Sequence, residues 1–175
     1  MKLVPAPGAS FTGPILGDHT SSDETWGKFV HLGPLQYGQR RDITVQMTLP
    51  PGEVPYLEAT LEWNHAVSNK AIRITANGID RNATLESVTG GVRSKMISVG
   101  IKAVNEADEG EQAVAEALIK NLEIYVDQLN EACGNPPEIN ALKCDISGRM
   151  KFAFNGEDRF FRWGAHYVRG LCRAH

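Results

Sequence analysis

At 175 residues, with 42% hydrophobic and 22% charged side chains, the chain is long enough to bury a core and too apolar to be disordered. A net charge of −3 gives no basis for a nucleic-acid or acidic-membrane partner, and no apolar run approaches bilayer length. Pro5, Pro7 and Gly8 follow Met1–Val4 at once, so no signal-peptide core develops and a cytoplasmic setting is expected.

Lys2 to Thr12 predicts one or two short strands with proline at an edge. Gly13 to Glu24, GPILGDHTSSDE, reads as a polar, turn-rich connection. The stretch from Trp26 to Leu49 organises the rest of the chain. In it Ile43, Val45, Met47 and Leu49 alternate with Asp42, Thr44, Gln46 and Thr48, the period of a strand with one buried face. Gly33-Pro34 and Gly38 punctuate the connection before it, which is expected to return the chain antiparallel to Lys28–Leu32. Three prolines between Pro50 and Pro55 make a loop. Leu57, Ala59, Leu61 and Trp63 then share one face of a second strand, and Ala71–Ala76 forms a third that ends at the turn signal Asn77-Gly78.

Near Ile79-Asp80 the period changes. Leu85, Val88, Val92, Met96, Val99 and Ala103 fall three and four apart, a helical stripe weakened by Gly90, Gly91 and Gly100. A second stripe, Val114, Leu118, Leu122, Tyr125 and Leu129, ends at Gly134-Asn135-Pro136-Pro137. The short link between them predicts an αα-hairpin. A short helix is expected over Glu138–Cys144. Asp145–Phe154 fits either a helix or a strand, and Asp158 is placed as the cap of a last helix whose aromatic side chains enter the core.

The chemistry carried by this pattern is sparse. The glycines lack the strand, loop and lysine of a phosphate-binding loop, and no serine sits in a nucleophile elbow. Asp18-His19-Thr20 superficially resembles a metal or triad fragment but reads as a solvated turn, and His31 as a strand residue. Cys133, Cys144 and Cys172 suit reduced thiols, and the grouping of Cys172 and His175 with His166 or Cys144 lacks a zinc pattern, so neither metal nor cofactor is expected. Asn82-Ala83-Thr84 is a glycosylation sequon that matters only in a secreted chain. Arg40-Arg41-Asp42 reads as a carboxylate clamp or, preferably, as a loop-anchoring ion pair. Arg159, Arg162, Arg169 and Arg173 interleave with Phe160, Phe161, Trp163 and Tyr167, a pattern that binds single-stranded nucleic acid where a basic groove supports it; an amphipathic helix is preferred here.

Two motifs go further: Glu24-Thr25-Trp26-Gly27 with Leu32–Asp42, LGPLQYGQRRD, and then Arg162-Trp163-Gly164-Ala165-His166-Tyr167 with Leu171–His175. In this order they resemble the region that follows the von Willebrand factor A domain in fungal and protist multidomain proteins, some with a U-box or RING finger and others with a Hint domain. The resemblance covers nearly the whole chain. It implies a β-sandwich beside an A domain, followed by a helical segment. In that family the last helix usually continues into a glutamine- and asparagine-rich motif, so a chain ending at His175 is expected to be a shortened or divergent member. The Asp-x-Ser-x-Ser metal signature, the RING or U-box and the Hint nucleophile are all absent, so the resemblance supplies a neighbour and no active site.

The expected fold is therefore α+β: a small antiparallel β-sandwich over residues 1–79 with a helical part over 80–175 packed on it, an αα-hairpin plus shorter helices. The expected function is a non-catalytic structural or protein-interaction module, accessory to a von Willebrand A-type domain. The alternatives are a scaffold segment of a ubiquitin-ligase assembly and a small hydrolase with Cys172 as nucleophile and His166 or His175 as base. A protein partner is expected, either an A-type domain or a ubiquitin-pathway component, and no nucleic acid or membrane. Candidate binding residues are Gln36, Tyr37, Gln39, Arg40 and Arg41 in one loop and Arg162, Trp163 and His166 in the last helix. A structural role is expected for Trp26, Trp63 and Trp163.

Overall fold

The computed structural model describes residues 1–34, 38, 41–65 and 67–174. The protein is α+β, with seven strands among the described residues in two sheets followed by helices. It divides into two units, one made of Met1–Ile15 and His19–Asn82, the other of Leu16–Asp18 and Ala83–His175.

The strands, in the first unit apart from Leu16 at the end of β2, are β1 (Lys2–Pro5), β2 (Ser10–Leu16), β3 (Thr20–Glu24), β4 (Gly27–His31), β5 (Thr44–Thr48), β6 (Leu57–Asn64) and β7 (Ala71–Gly78). A five-stranded antiparallel sheet runs in the order β3-β4-β1-β6-β7, and β2 pairs with β5 in a second sheet. Leu3 and Val30 from the first sheet and Ile15 from the second are buried together, with Phe11, Ile43 and Val45 packed against them. Lys28 is also buried. Its ammonium pairs with Asp23 and lies 5.6 Å from the Phe11 ring centroid, so its stem packs while its charge stays matched.

Two expectations fail here. Gly13–Glu24 is not a connection, since it contributes the end of β2 and all of β3. Every residue of β3 is exposed, so a sheet-edge strand carries a loop-like composition. Nor do β4 and β5 pair. A two-residue turn, Thr25-Trp26, closes β3 onto β4 with Glu24 opposite Gly27, and β1 takes the other side of β4. The shortest loop wins the edge because its closure costs the least chain entropy.

In the second unit, α1 (Leu85–Asp108) and α2 (Gln112–Ala132) form the helical hairpin. Thr84 caps α1 by accepting the Ser87 amide at 3.1 Å, and the helix runs unbroken through Gly90 and Gly91. The α2 stripe keeps the expected Leu122 but otherwise sits one residue on from the expected positions, of which Leu118, Tyr125 and Leu129 still pack against the core. Ala115, Ile119, Leu122, Val126 and Asn130 are buried, while Val114 is exposed. The buried Asn130 amide donates to the side-chain oxygens of Asn135 (3.1 Å) and Asn140 (2.8 Å), tying the end of α2 to the next helix.

Asp145–Phe154 is helical. It continues α3 (Pro137–Cys144) through a π-helical turn, Asp145–Met150, into α4 (Lys151–Phe154). Gly156, at φ +95°, breaks this rod. The last rod is α5 (Glu157–Arg159), a second π-helical turn over Phe160–Gly164, and α6 (Ala165–Ala174). Asp158 lies inside its first turn and Gly156 holds the cap position, correcting the expected cap. Of the expected core aromatics only Phe160 is fully buried; Phe161 and Trp163 are exposed. The last rod touches the third at Gly164, where an added Cβ would lie 2.5 Å from the Ala153 carbonyl oxygen.

That close approach predicts that Gly164→Ala destabilises the helical unit by about 1–3 kcal/mol, because a backbone carbonyl cannot swing aside as a side chain would. Gly148→Ala, with open space around its position, should leave stability unchanged or raise it by about 0.5–1 kcal/mol. Urea unfolding followed by helical circular dichroism separates the two outcomes.

Candidate functional site

The two π-helical turns decide which aromatic side chains stay outside. A π turn adds a residue to a helical circuit and shifts the faces beyond it. Phe152, just after the first, is 51% exposed, and Trp163, inside the second, is 37% exposed. Their rings meet at 5.9 Å between centroids, and Tyr167 packs edge-on against Trp163 at 5.6 Å. Arg159 covers the Phe152 ring at 3.9 Å. Arg149 donates to the Tyr167 phenol oxygen, which raises its pKa; the charges of Tyr167 and Asp145 act in the same direction. Three aromatic rings and two guanidinium groups thus form one continuous patch.

Phe152 also lines a groove of about 720 Å³ between α2 and the third rod. Ile119 and Phe154, both buried, lie at its base, and Ile124 is half exposed on its rim. Glu123 is bridged to Lys151 at 2.8 Å, and Asp127 to Lys143 at 2.9 Å. The hydrogen bond to Asp127, with its charge, holds the Lys143 ammonium above its ordinary value. Gln112 donates to the Phe154 carbonyl and so closes one end of α4. With those carboxylates engaged by lysines, the groove offers an apolar base, a polar rim and an aromatic wall, which suits binding.

Among the candidate binding residues, Gln36, Tyr37, Gln39 and Arg40 lie outside the described residues. Arg41 is exposed and belongs to the β unit. The structure joins Trp163 to Phe152 and Tyr167. Arg162 is exposed and pairs with Asp158 at 3.4 Å, and His166 is exposed on α6. The arginines do not form one basic face, since Arg169 pairs with Asp108 and Arg159 is spent on Phe152. All three tryptophans keep over a third of their surface exposed, Trp26 36%, Trp63 37% and Trp163 37%, so none is a core anchor. Phe152 and Arg149 were missed from the sequence, although an aromatic residue in a segment that fitted two structures was the available signal.

Cys172 is 6% exposed, with its thiol 3.9 Å from the Ile97 carbonyl. Burial pushes the thiol up to about 11, and the charge of Asp18 adds to the shift. His166, exposed and six residues away on the same helix, lies on another face. A nucleophile needs a low-pKa, reachable thiolate beside its base, and this arrangement opposes both requirements. His175 lies outside the described residues. His19 Nε2 lies 3.3 Å from the Asp42 carbonyl, a loop contact within the β unit. Among the described residues no three His, Cys, Asp or Glu side chains converge as a metal site would require, and no helix is long and apolar enough to cross a membrane. No protein-family model, curated protein sequence or solved structure matches the chain.

The thiols make this testable. Cys133 and Cys144 are exposed, so a thiol reagent at mildly alkaline pH should label two cysteines rapidly in the folded protein and the third only on unfolding. Because the folded pKa of Cys172 is raised, the folded state holds its proton longer than the unfolded chain. Stability should therefore be insensitive to this group below about pH 9 and fall as pH rises from about 9 towards about 11. Rapid labelling of all three in folded protein would contradict the assignment.

Proposed function

We propose that the chain is a non-catalytic protein-interaction module that binds through the aromatic patch of Phe152, Trp163 and Tyr167 and its adjoining groove. The observation that carries this reading is the patch itself. Large aromatic side chains stacked at the surface and flanked by arginine are the composition of binding hot spots, whereas buried aromatics would serve the core. The groove beside it gives a partner side chain a place to insert. We take the partner to be a von Willebrand A-type domain, on the strength of the motifs at Glu24–Asp42 and Arg162–His175, and the setting to be cytoplasmic.

The test is direct binding, by titration calorimetry, to a purified A-type domain from a protein that carries both motifs. Binding is expected, with Phe152→Ala and Trp163→Ala each weakening it by about tenfold or more. Val114→Ala, which removes an exposed apolar residue of α2 away from the groove lining, should leave affinity unchanged. Absence of binding removes the A-type partner. Binding that neither aromatic substitution weakens removes the patch.

A further inference from the structure

The five-stranded sheet ends in two unlike edges. β3 is five residues long and finishes in Asp23 and Glu24, charges that discourage a neighbouring strand. β7 is eight residues long, its residues are exposed or partly so, and neither proline nor inward lysine interrupts it. Its one charge, Arg73, is balanced by Glu62 on β6 at 3.4 Å. Ile74 is 56% exposed in the middle of the strand.

The register shows which backbone groups this edge offers. Beyond the strand ends His65 N–H donates to the Lys70 carbonyl at 2.9 Å, and Asn64 opposite Ala71 is the next pair. Antiparallel ladders alternate hydrogen-bonded and non-bonded pairs. Ile72, Ile74 and Ala76 therefore bond to β6, while the N–H and C=O groups of Ala71, Arg73, Thr75 and Asn77 turn to the outer edge, on which no further strand pairs among the described residues.

We propose that β7 is a self-pairing edge through which two copies of this chain join antiparallel about a twofold axis, with Ile74 opposite Ile74 of the second copy. In this register Arg73 faces Thr75 of the second copy, Ile72 faces Ala76 and Ala71 faces Asn77. About eight main-chain hydrogen bonds form from the groups that β6 leaves free. Charge excludes one neighbouring register. Sliding one copy by two residues in one direction sets Arg73 against Arg73 of the second copy, and like charges directly opposite are unfavourable.

Both faces of the joined sheet are continuous. On one, Glu62 and Arg73 run into Thr75 and Thr60 of the second copy, the two threonines already sharing a hydroxyl contact of 3.0 Å within each copy. On the other, Leu61 and Ile74 meet Ile74 and Leu61 of the second copy, flanked by Trp63 and Ile72. The seam is short, so the dimer is weak and forms with rising concentration.

Sedimentation velocity from micromolar to millimolar concentration, with amide hydrogen exchange on the same samples, tests this. The mass should rise to twice that of the chain and stop there. In step with it, the amides of Arg73, Thr75 and Asn77 should become protected, while those of Ile72 and Ile74 are protected throughout. Arg73→Pro removes an edge donor without removing a bond to β6, and Ile74→Lys sets two ammonium groups at the seam. Each should leave the circular dichroism unchanged and hold the chain monomeric. A monomer at every concentration overturns the proposal, as do assemblies that grow past a dimer. A wild-type dimer whose β7 edge amides stay unprotected overturns it too, whether or not the variants fold.

Discussion

The helical unit depends on one repeat. Leu142, Ile146, Met150 and Phe154 are buried at every fourth residue, and so are Phe160, Gly164, Val168 and Cys172. An α-helix turns about 100° per residue, so four residues overshoot a full turn by about 40° and a strict four-residue repeat drifts off its face. A π-helical turn rotates less per residue and takes the drift back. One lies in the middle of the first repeat and one at the start of the second. The under-wound turns let both rods keep a single face on the core.

Keeping that face constant has consequences at both ends of the size scale. Where the rods touch α1 and each other, glycine allows the close approach: an added Cβ at Gly100 would lie 2.8 Å from the Cys172 sulfur and 3.1 Å from the Met150 methyl, and at Gly164 2.5 Å from the Ala153 carbonyl oxygen. Gly100, a weak residue by helix propensity, is thus a packing residue. Away from the core, the same geometry sends Phe152 and Trp163 outward together, so the aromatic patch is a by-product of how the rods are wound. Arg159 and Arg149 then cover it from either rod.

Much of the fold was legible in the sequence. The strand alternations at Thr44–Thr48 and Leu57–Asn64, the helical stripes, and the α+β order follow from periodicity alone, as does β7 up to Ala76; the expected turn Asn77-Gly78 instead continues β7, paired to Glu58 and Leu57. Pairing did not follow, because the alternation of β5 reports which face is buried and nothing about the neighbour. β3 was invisible because exposure on both faces removes the alternation that marks a strand. The α2 stripe was displaced by one residue because Ala115 and Asn130, small or polar, carry the burial that Val114 and Leu129 advertised.

The candidate site was legible only in part, for a related reason. Trp163 stood out as a residue type, but its partner Phe152 lies in a segment whose pattern fitted both a helix and a strand. The four-residue spacing at 142, 146, 150 and 154 was present in the sequence and is itself the mark of an under-wound helix. Taken as such, it places Met150 and Phe154 inward and Phe152 outward, with Ser147 and Lys151 on the groove side. The departure from the ideal period thus carries more about the surface than the regular stretches do. Regular helices show where the core is; the under-wound ones show which large side chains the core refuses.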